Sequence, residues 1–280
     1  MDVLHYTDPA CPFAFSAEPR RLQLRWHYGD QLTWRTVLIV LAEDAAAYEQ
    51  KGLTTAKLAG GLRSLQSAHG MPIDVSERAR LSGTVDACRA VVAVREHSGD
   101  PELAVALLRR LRIRTMAGDL LDERATIEGA AGDAGIGLDQ LRAWTADPRT
   151  ETALREDMRA ARTPLPAALV LDHKLSPSED GGRRYSAPSL ELRAGERVSV
   201  LPGFQPWESY DAAVANLDPS LERRAAPSGV DELLAWAQMP LATAEVAALL
   251  GVGLDAARAK LEDAGATFEA VGEDGYWSAA

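Results

Sequence analysis

Segments with strand chemistry are confined to the two ends of the first 220 residues, and this distribution most constrains the fold. Val3-Leu4-His5-Tyr6 is short and apolar, and Leu32 to Val40 is β-branched, aromatic and nearly continuous. Nothing comparable follows between about 45 and 162. Strand-like residues return at Ala167–Leu171, Pro188–Leu192 and Val198–Leu201. Any sheet must therefore join pieces that lie far apart in sequence, on either side of a long helical block. The first two strands are separated by a helix starting at Cys11. Phe13/Ala17, Leu22/Trp26 and Leu24/Tyr28 are each spaced four residues apart, Gly29 stops the helix, and Pro19 should kink it. A β-α-β connection of this length implies a parallel pair.

The middle block reads as successive helices. Val85, Cys88, Val91, Val92 and Val94 mark one, and Leu103, Leu107, Leu108 and Leu111 mark another. Further helices are expected at Ala125–Ala134, Leu138–Ala146 and Thr150–Ala161, with Asp100-Pro101 and Asp147-Pro148 as start signals. Downstream, Arg193-Ala-Gly-Glu196 reads as a hairpin turn, Ser176–Arg184 as a mobile polar loop, and Trp207–Leu217 as a helix. The order β-α-β, helices, β-β-α is the thioredoxin order with a helical insertion. The expected class is therefore α/β, with a thioredoxin-fold domain over 1–218, a helical insertion at about 45–162, a linker, and a small α+β unit over 226–280.

Composition narrows the function. Thirty Lys and Arg against 41 Asp and Glu give a net charge of −11, which disfavours binding to polyanionic nucleic acid or anionic membrane. The longest apolar runs fall far short of the ~20 residues a membrane span needs. Asp2, His5 and Asp8 stand where a signal peptide would carry a basic and then an apolar segment, so a cytoplasmic location is expected. Two cysteines, Cys11 and Cys88, suffice neither for a disulfide scaffold nor, without a nearby His cluster, for a zinc site. No metal is expected.

Asp8-Pro-Ala-Cys-Pro-Phe-Ala14 places Cys11 where the first strand meets the first helix. Free amides and the positive end of the helix dipole there stabilise a thiolate, so Cys11 is expected to have a lowered pKa and to act as nucleophile. Pro12 suits the first helical turn. Tyr6-Thr-Asp-Pro-Ala-Cys-Pro-Phe-Ala14 resembles the active-site segment of DsbA-like thioredoxin-fold proteins, especially the FrnE-like branch. Ser186-Ala-Pro-Ser189 resembles that family's cis-proline loop, and Gly203-Phe-Gln-Pro206 the segment before its last helix. The resemblance covers residues 1 to about 218. It implies catalysis at Cys11, with Pro12, Phe13, Ala187 and Pro188 facing the substrate.

One departure alters the chemistry. A dithiol enzyme needs a resolving cysteine three residues after the first, and this chain has Ala14 there. Cys88 shares an apolar stripe with Val85, Val91 and Val92 and reads as a buried small hydrophobe. The reading that remains is a monothiol oxidoreductase or thiol transferase, with no bound cofactor and with mycothiol or glutathione as candidate small thiol. A protein substrate is the other candidate. Two alternatives stay open: a catalytically degenerate binding protein, and a glutathione-type isomerase or transferase resembling 2-hydroxychromene-2-carboxylate isomerase. In that group a serine or similar residue activates the glutathione thiol, and Ser16, one turn further in, reads instead as a helix-surface residue. His5 is a candidate for a supporting donor, whereas Glu18, Arg20 and Arg21 read as a solvated face.

Residues after about 226 have the helix, helix, helix and hairpin pattern of a winged helix. In residues 221–280, however, four bases (Arg223, Arg224, Arg258, Lys260) stand against ten acids, a net of −6. Asp255, Glu262 and Asp263 fall on the helix that would read DNA. DNA binding is therefore not expected, and the unit reads as a protein-contact or dimerisation module, with homo-oligomers among the expected partners.

Overall fold

The computed structural model describes residues 1–279. Its central sheet has four strands in the order β2-β1-β5-β6. These are β1 (Asp2–Thr7), β2 (Thr33–Leu38), β5 (Ser189–Ala194) and β6 (Arg197–Leu201). β1 runs parallel to β2, with His5 opposite Thr36, and antiparallel to β5, with His5 opposite Leu190. β5 and β6 form the hairpin expected around Gly195, whose φ of 60° suits glycine. This is the thioredoxin arrangement that the element order anticipates, and it brings residues 2–7 beside residues 189–194.

Two helices connect β1 to β2, α1 (Pro12–Ser16) and α2 (Glu18–Tyr28), rather than one kinked helix. The break falls at Ala17, and Pro19 sits in the first turn of α2, where its missing N–H needs no partner. The insertion comprises α3 (Ala45–Gln50), α4 (Thr55–His69), α5 (Val85–His97), α6 (Pro101–Met116), α7 (Arg124–Asp133), α8 (Leu138–Ala146) and α9 (Pro148–Ala161). Asp100 and Asp147 cap α6 and α9, accepting from the amides of Glu102 at 2.9 Å and Arg149 at 2.8 Å. The apolar stripe of α5 is surrounded by α6, α8 and α9, and its Val91 and Val92 lie in one core with Leu38 of β2 and Leu107 and Leu111 of α6. Burying a residue of this size contributes about 1.5–3 kcal/mol.

Two local expectations fail. Ala167–Leu171 is not a strand: α10 (Pro166–Leu169) is a short helix followed by Val170, which is 82% exposed. Pro166 starts the helix, and β1 already has β2 and β5 as its neighbours, so no slot remains beside it. Nor is Ser176–Arg184 unstructured. β3 (Ser176–Pro177) pairs antiparallel with β4 (Arg183–Arg184), and a turn is closed by the Ser178 amide donating to the Gly182 carbonyl at 3.0 Å. Alternation was too short there to reveal a two-residue ladder.

After β6 comes α11 (Trp207–Leu217), which packs on β5, β6 and α2. The C-terminal unit follows: α12 (Val230–Ala237), β7 (Leu241–Ala242), α13 (Thr243–Leu250), α14 (Leu254–Asp263), β8 (Thr267–Val271) and β9 (Asp274–Ser278), with its strands in the order β7-β9-β8. It shares a core with the thioredoxin half. Leu22 and Trp26 of α2 are buried in one cluster with Leu233, Leu234, Val246, Leu249 and Trp277, and Trp236 meets Trp26 edge-on with ring centroids 5.1 Å apart.

Candidate active site

Cys11 caps α1 in extended conformation, and its carbonyl accepts from the Phe15 amide at 3.0 Å. Its Sγ lies 3.2 Å from the carbonyl oxygen of Ala187, across 176 residues of sequence, and donates to it. The Ala187–Pro188 peptide bond is cis, as the sequence reading expects. The fold therefore assembles Cys11, Ala187 and Pro188 into one place. Cys11 is only 5% exposed, Pro12 is partly buried, and Phe13 stands out at 50% exposed. Phe13 is thus an exposed aromatic beside a covered thiol. Ala14, one turn along α1, is buried in the same cluster as the cysteine.

The expected low pKa is not what the geometry yields. Burial pushes the Cys11 thiol up to about 11. The Ala14 and Phe13 amides and the charge of Arg112 pull the other way, and the buried Asp8 adds to the rise. The helix-start argument named a real contribution, but desolvation, which sequence position does not reveal, outweighs it. Alkylation of Cys11 by iodoacetamide should therefore stay slow at pH 7–8 and climb steadily toward pH 11. Cys88, fully buried and likewise raised by burial, is less accessible to the reagent and should lag behind it. A Cys11 rate that levels off by pH 8 would contradict this ordering of forces.

Asp8 organises the floor of the site. It is fully buried, and its carboxylate accepts from the amides of Ala10 (2.8 Å) and Leu41 (2.9 Å) and from the Thr84 hydroxyl (2.8 Å). Cys88 Sγ donates to it at 3.5 Å, so Cys88 is buried as expected but polar in its contacts. Burial raises the Asp8 pKa, opposed by these four hydrogen bonds. Tyr48 of α3 lies within electrostatic reach of Asp8, Cys11, Cys88 and Arg184.

His5 of β1 is also buried. Burial, assisted by Arg112 and Arg21, lowers its pKa to about 3, so its imidazole is neutral. With Ala14, Ala17 and Pro188 it lines a cavity of about 20 Å³. That is space for little more than one water molecule.

Glu18, expected in solvent, is buried instead. Its carboxylate pairs with Arg21 at 2.7 Å, with Arg112, and with Arg109 at 3.7 Å. Burial opposes its charge, but the three guanidinium groups together hold it well below the usual carboxylate range. Arg112 also donates to Thr7, the residue before Asp8, and Arg109 makes a two-pronged pair with Glu245 at 2.7 Å on both arms. Ser16 is likewise buried, not on the helix surface, with no partner for its hydroxyl. Sequence reasoning missed Glu18, Arg109, Arg112 and Glu245 because charged residues at helical spacing normally face water. Only the docking of α6 and α13 against α2 shows otherwise.

With this geometry established, comparison with known proteins is informative. The DSBA-like thioredoxin domain profile matches residues 2–163, more than half of the chain. The chain belongs to the DSBA-like thioredoxin domain family. Solved structures of similar fold include a probable DsbA oxidoreductase from Streptomyces coelicolor, at 18% identity and TM-score 0.55, covering 82% of this chain and 94% of that one. The cytosolic disulfide reductase DsbM from Pseudomonas aeruginosa aligns at 15% identity and TM-score 0.54, covering 78% of this chain and all of DsbM; it has also been solved with GSH. 2-Hydroxychromene-2-carboxylate isomerase aligns at 16% identity and TM-score 0.50, covering 78% of this chain and 96% of that one. At these identities the likeness is one of fold. No functionally curated protein matches the chain in sequence. Among the described residues of this DSBA-like protein, no cluster of His, Cys, Asp and Glu could hold a metal ion, and no helix is long and apolar enough to cross a membrane.

Proposed function

We propose that this DSBA-like protein is a thiol transferase working through Cys11 alone, with a small thiol as its second reactant. The contact between Cys11 Sγ and the Ala187 carbonyl carries the reading, together with Ala14 where a resolving thiol would stand. In the resting state the thiol is neutral and occupied with Ala187. An incoming substrate backbone that takes over the Ala187 carbonyl frees Cys11 to ionise, its proton passing to solvent. The thiolate attacks a mixed disulfide between a substrate thiol and a small thiol at the small-thiol sulfur. That S–S bond breaks, and the substrate thiolate leaves and picks up a proton. A second small thiol, as thiolate, attacks the new Cys11 disulfide, releasing Cys11 and the oxidised small-thiol dimer. Two small-thiol sulfurs end up oxidised in place of one substrate–thiol bond, and no second protein cysteine takes part.

Pro12, Phe13, Ala187 and Pro188 form the substrate side of this site, Phe13 supplying the exposed apolar contact. A reducing compartment, the cytoplasm, suits a reaction consuming small thiol. Residues 221–280 serve as part of the folded body, and the excess of acids over bases argues against nucleic acid as a partner.

A second reading rests on the raised Cys11 pKa. A thiol that stays neutral at pH 7 donates a hydrogen bond, so Cys11 could hold the sulfur of a bound small thiol without forming a bond to it, as an isomerase or transferase requires. The two readings separate on one measurement. Incubated with a mixed disulfide and analysed by intact mass, the wild-type chain should gain one small-thiol adduct mapped to Cys11, and Cys11→Ser should gain none and lose turnover by at least about a hundredfold, the scale on which nucleophile removal acts. Cys88→Ser should retain turnover. Turnover surviving in Cys11→Ser would favour the hydrogen-bonding role.

A further inference from the structure

A cleft of about 380 Å³ lies on the seam between the thioredoxin half and the C-terminal unit, and none of its lining residues belongs to the Cys11 site. One side comes from α2, β2 and the start of α6, the other from the end of α12. Its walls are apolar, with Leu22, Leu32, Val105 and Met239 beside the indoles of Trp34 and Trp236. Gln238 ends α12 with a φ of 49°, in the left-handed region that favours glycine, and the chain turns there to bring Met239 to the cleft. Apolar walls at a domain seam are the usual setting of a small-molecule site. The rim is acidic on balance. Arg25 pairs with Glu102 at 2.5 Å, and Asp30 makes no ion pair among the described residues. An adjoining hollow, which shares Arg25, Gly29 and Trp236 with the cleft, shows what such a surface attracts. There the Arg224 guanidinium lies 3.6 Å from the centre of the Trp26 ring and pairs with Glu232 at 2.6 Å, a cation held by an indole face and a carboxylate together. The cleft repeats the indoles and the carboxylate but not the cation. Trp34 and Trp236 meet His5 and Trp26 edge-on, and among the described residues no arginine lies over either ring.

We propose that this cleft binds an organic cation with an apolar body, of the alkyl- or arylammonium class, its charged head against Trp34, Trp236 and Asp30 and its apolar part against Leu22, Leu32 and Met239. The negative face of an indole attracts a cation, more strongly where the cation has shed its water, and a quaternary ammonium sheds water readily. Burial of the apolar part adds a contribution that does not depend on charge. In a chain of net charge −11 any cation is drawn to the surface, so selectivity comes from needing both halves of the ligand at once. Because the cleft is walled by the thioredoxin half and the C-terminal unit together, an occupant joins the two and stabilises the folded chain. The proposal does not depend on the chemistry assigned to Cys11.

The test uses benzyltrimethylammonium, uncharged benzyl alcohol, the anion phenylacetate and tetramethylammonium, each titrated into the full-length chain and followed by ligand-observed NMR and by thermal unfolding. Benzyltrimethylammonium should bind at least about tenfold more tightly than any of the other three and should be the one that raises the unfolding midpoint. Asp30→Asn, a change at an exposed residue, should weaken it several-fold, and Trp236→Phe, which keeps an aromatic ring of weaker attraction, should do the same. Cys11→Ser should leave its binding unchanged, which places the site away from the reactive thiol. Phenylacetate binding as tightly as the ammonium, affinity for the ammonium that neither Asp30→Asn nor Trp236→Phe alters, or no saturable binding below about 10 mM would each overturn the assignment. Loss of binding in Cys11→Ser would place the ligand at the thiol and overturn it too.

Discussion

Glu245→Ala should destabilise the chain by about 3–5 kcal/mol, measured by urea denaturation of the full-length protein, because it leaves a buried arginine without its partner. Glu245 is fully buried at the start of α13. It takes both arms of Arg109 at 2.7 Å and also accepts from the Ala242 amide at 2.7 Å. Arg109 donates further to the Pro240 carbonyl at 2.6 Å and reaches Glu18 at 3.7 Å. Removing the carboxylate strands the guanidinium of Arg109 inside the protein and leaves Glu18 as the only carboxylate among three arginines. A double change of Arg109→Met with Glu245→Leu should cost much less, since no charge is then left unpaired. A loss below about 1 kcal/mol for Glu245→Ala would show that water reaches the pair and that the C-terminal unit is more loosely seated than its shared core implies.

Ala14→Cys should convert a chain that reduces insulin at close to background into one that does so at least about tenfold faster, because the mixed disulfide on Cys11 would gain a resolving thiol in the same molecule. Ala14 is buried one turn along α1 from Cys11, and the small cavity it lines with His5 and Pro188 gives the added sulfur room, so overpacking should be slight. Insulin reduction assayed with dithiothreitol as electron source reads the effect, with Cys11→Ser in the Ala14→Cys background as the control. Wild-type activity already at the level of the variant would mean that a resolving thiol exists elsewhere, and Cys88, now hydrogen-bonded to Asp8, would have to leave its pocket to supply it.

Local chemistry in the sequence determined where the main secondary structure lies and which residues could carry reactivity. The β-branched run at 32–40, the Asp-Pro helix starts, the glycine in the 193–196 turn and the Cys-Pro pair at 11–12 each act over a few neighbouring residues, so they can be read from a linear chain. The pairing of Cys11 with the Ala187–Pro188 loop was also legible, through a family pattern spread over segments in fixed order. What the tertiary structure alone decided is the energetic sign of the charges. Whether Cys11 is easier or harder to ionise than a free thiol depends on how completely α1, the 185–188 segment and the elements around Asp8 exclude water, and desolvation accumulates from every packed neighbour at once. For the same reason Glu18 and Arg109 look like solvent-facing helix residues until α2, α6 and α13 are brought together, when they become a buried network joining the C-terminal unit to α2 and α6.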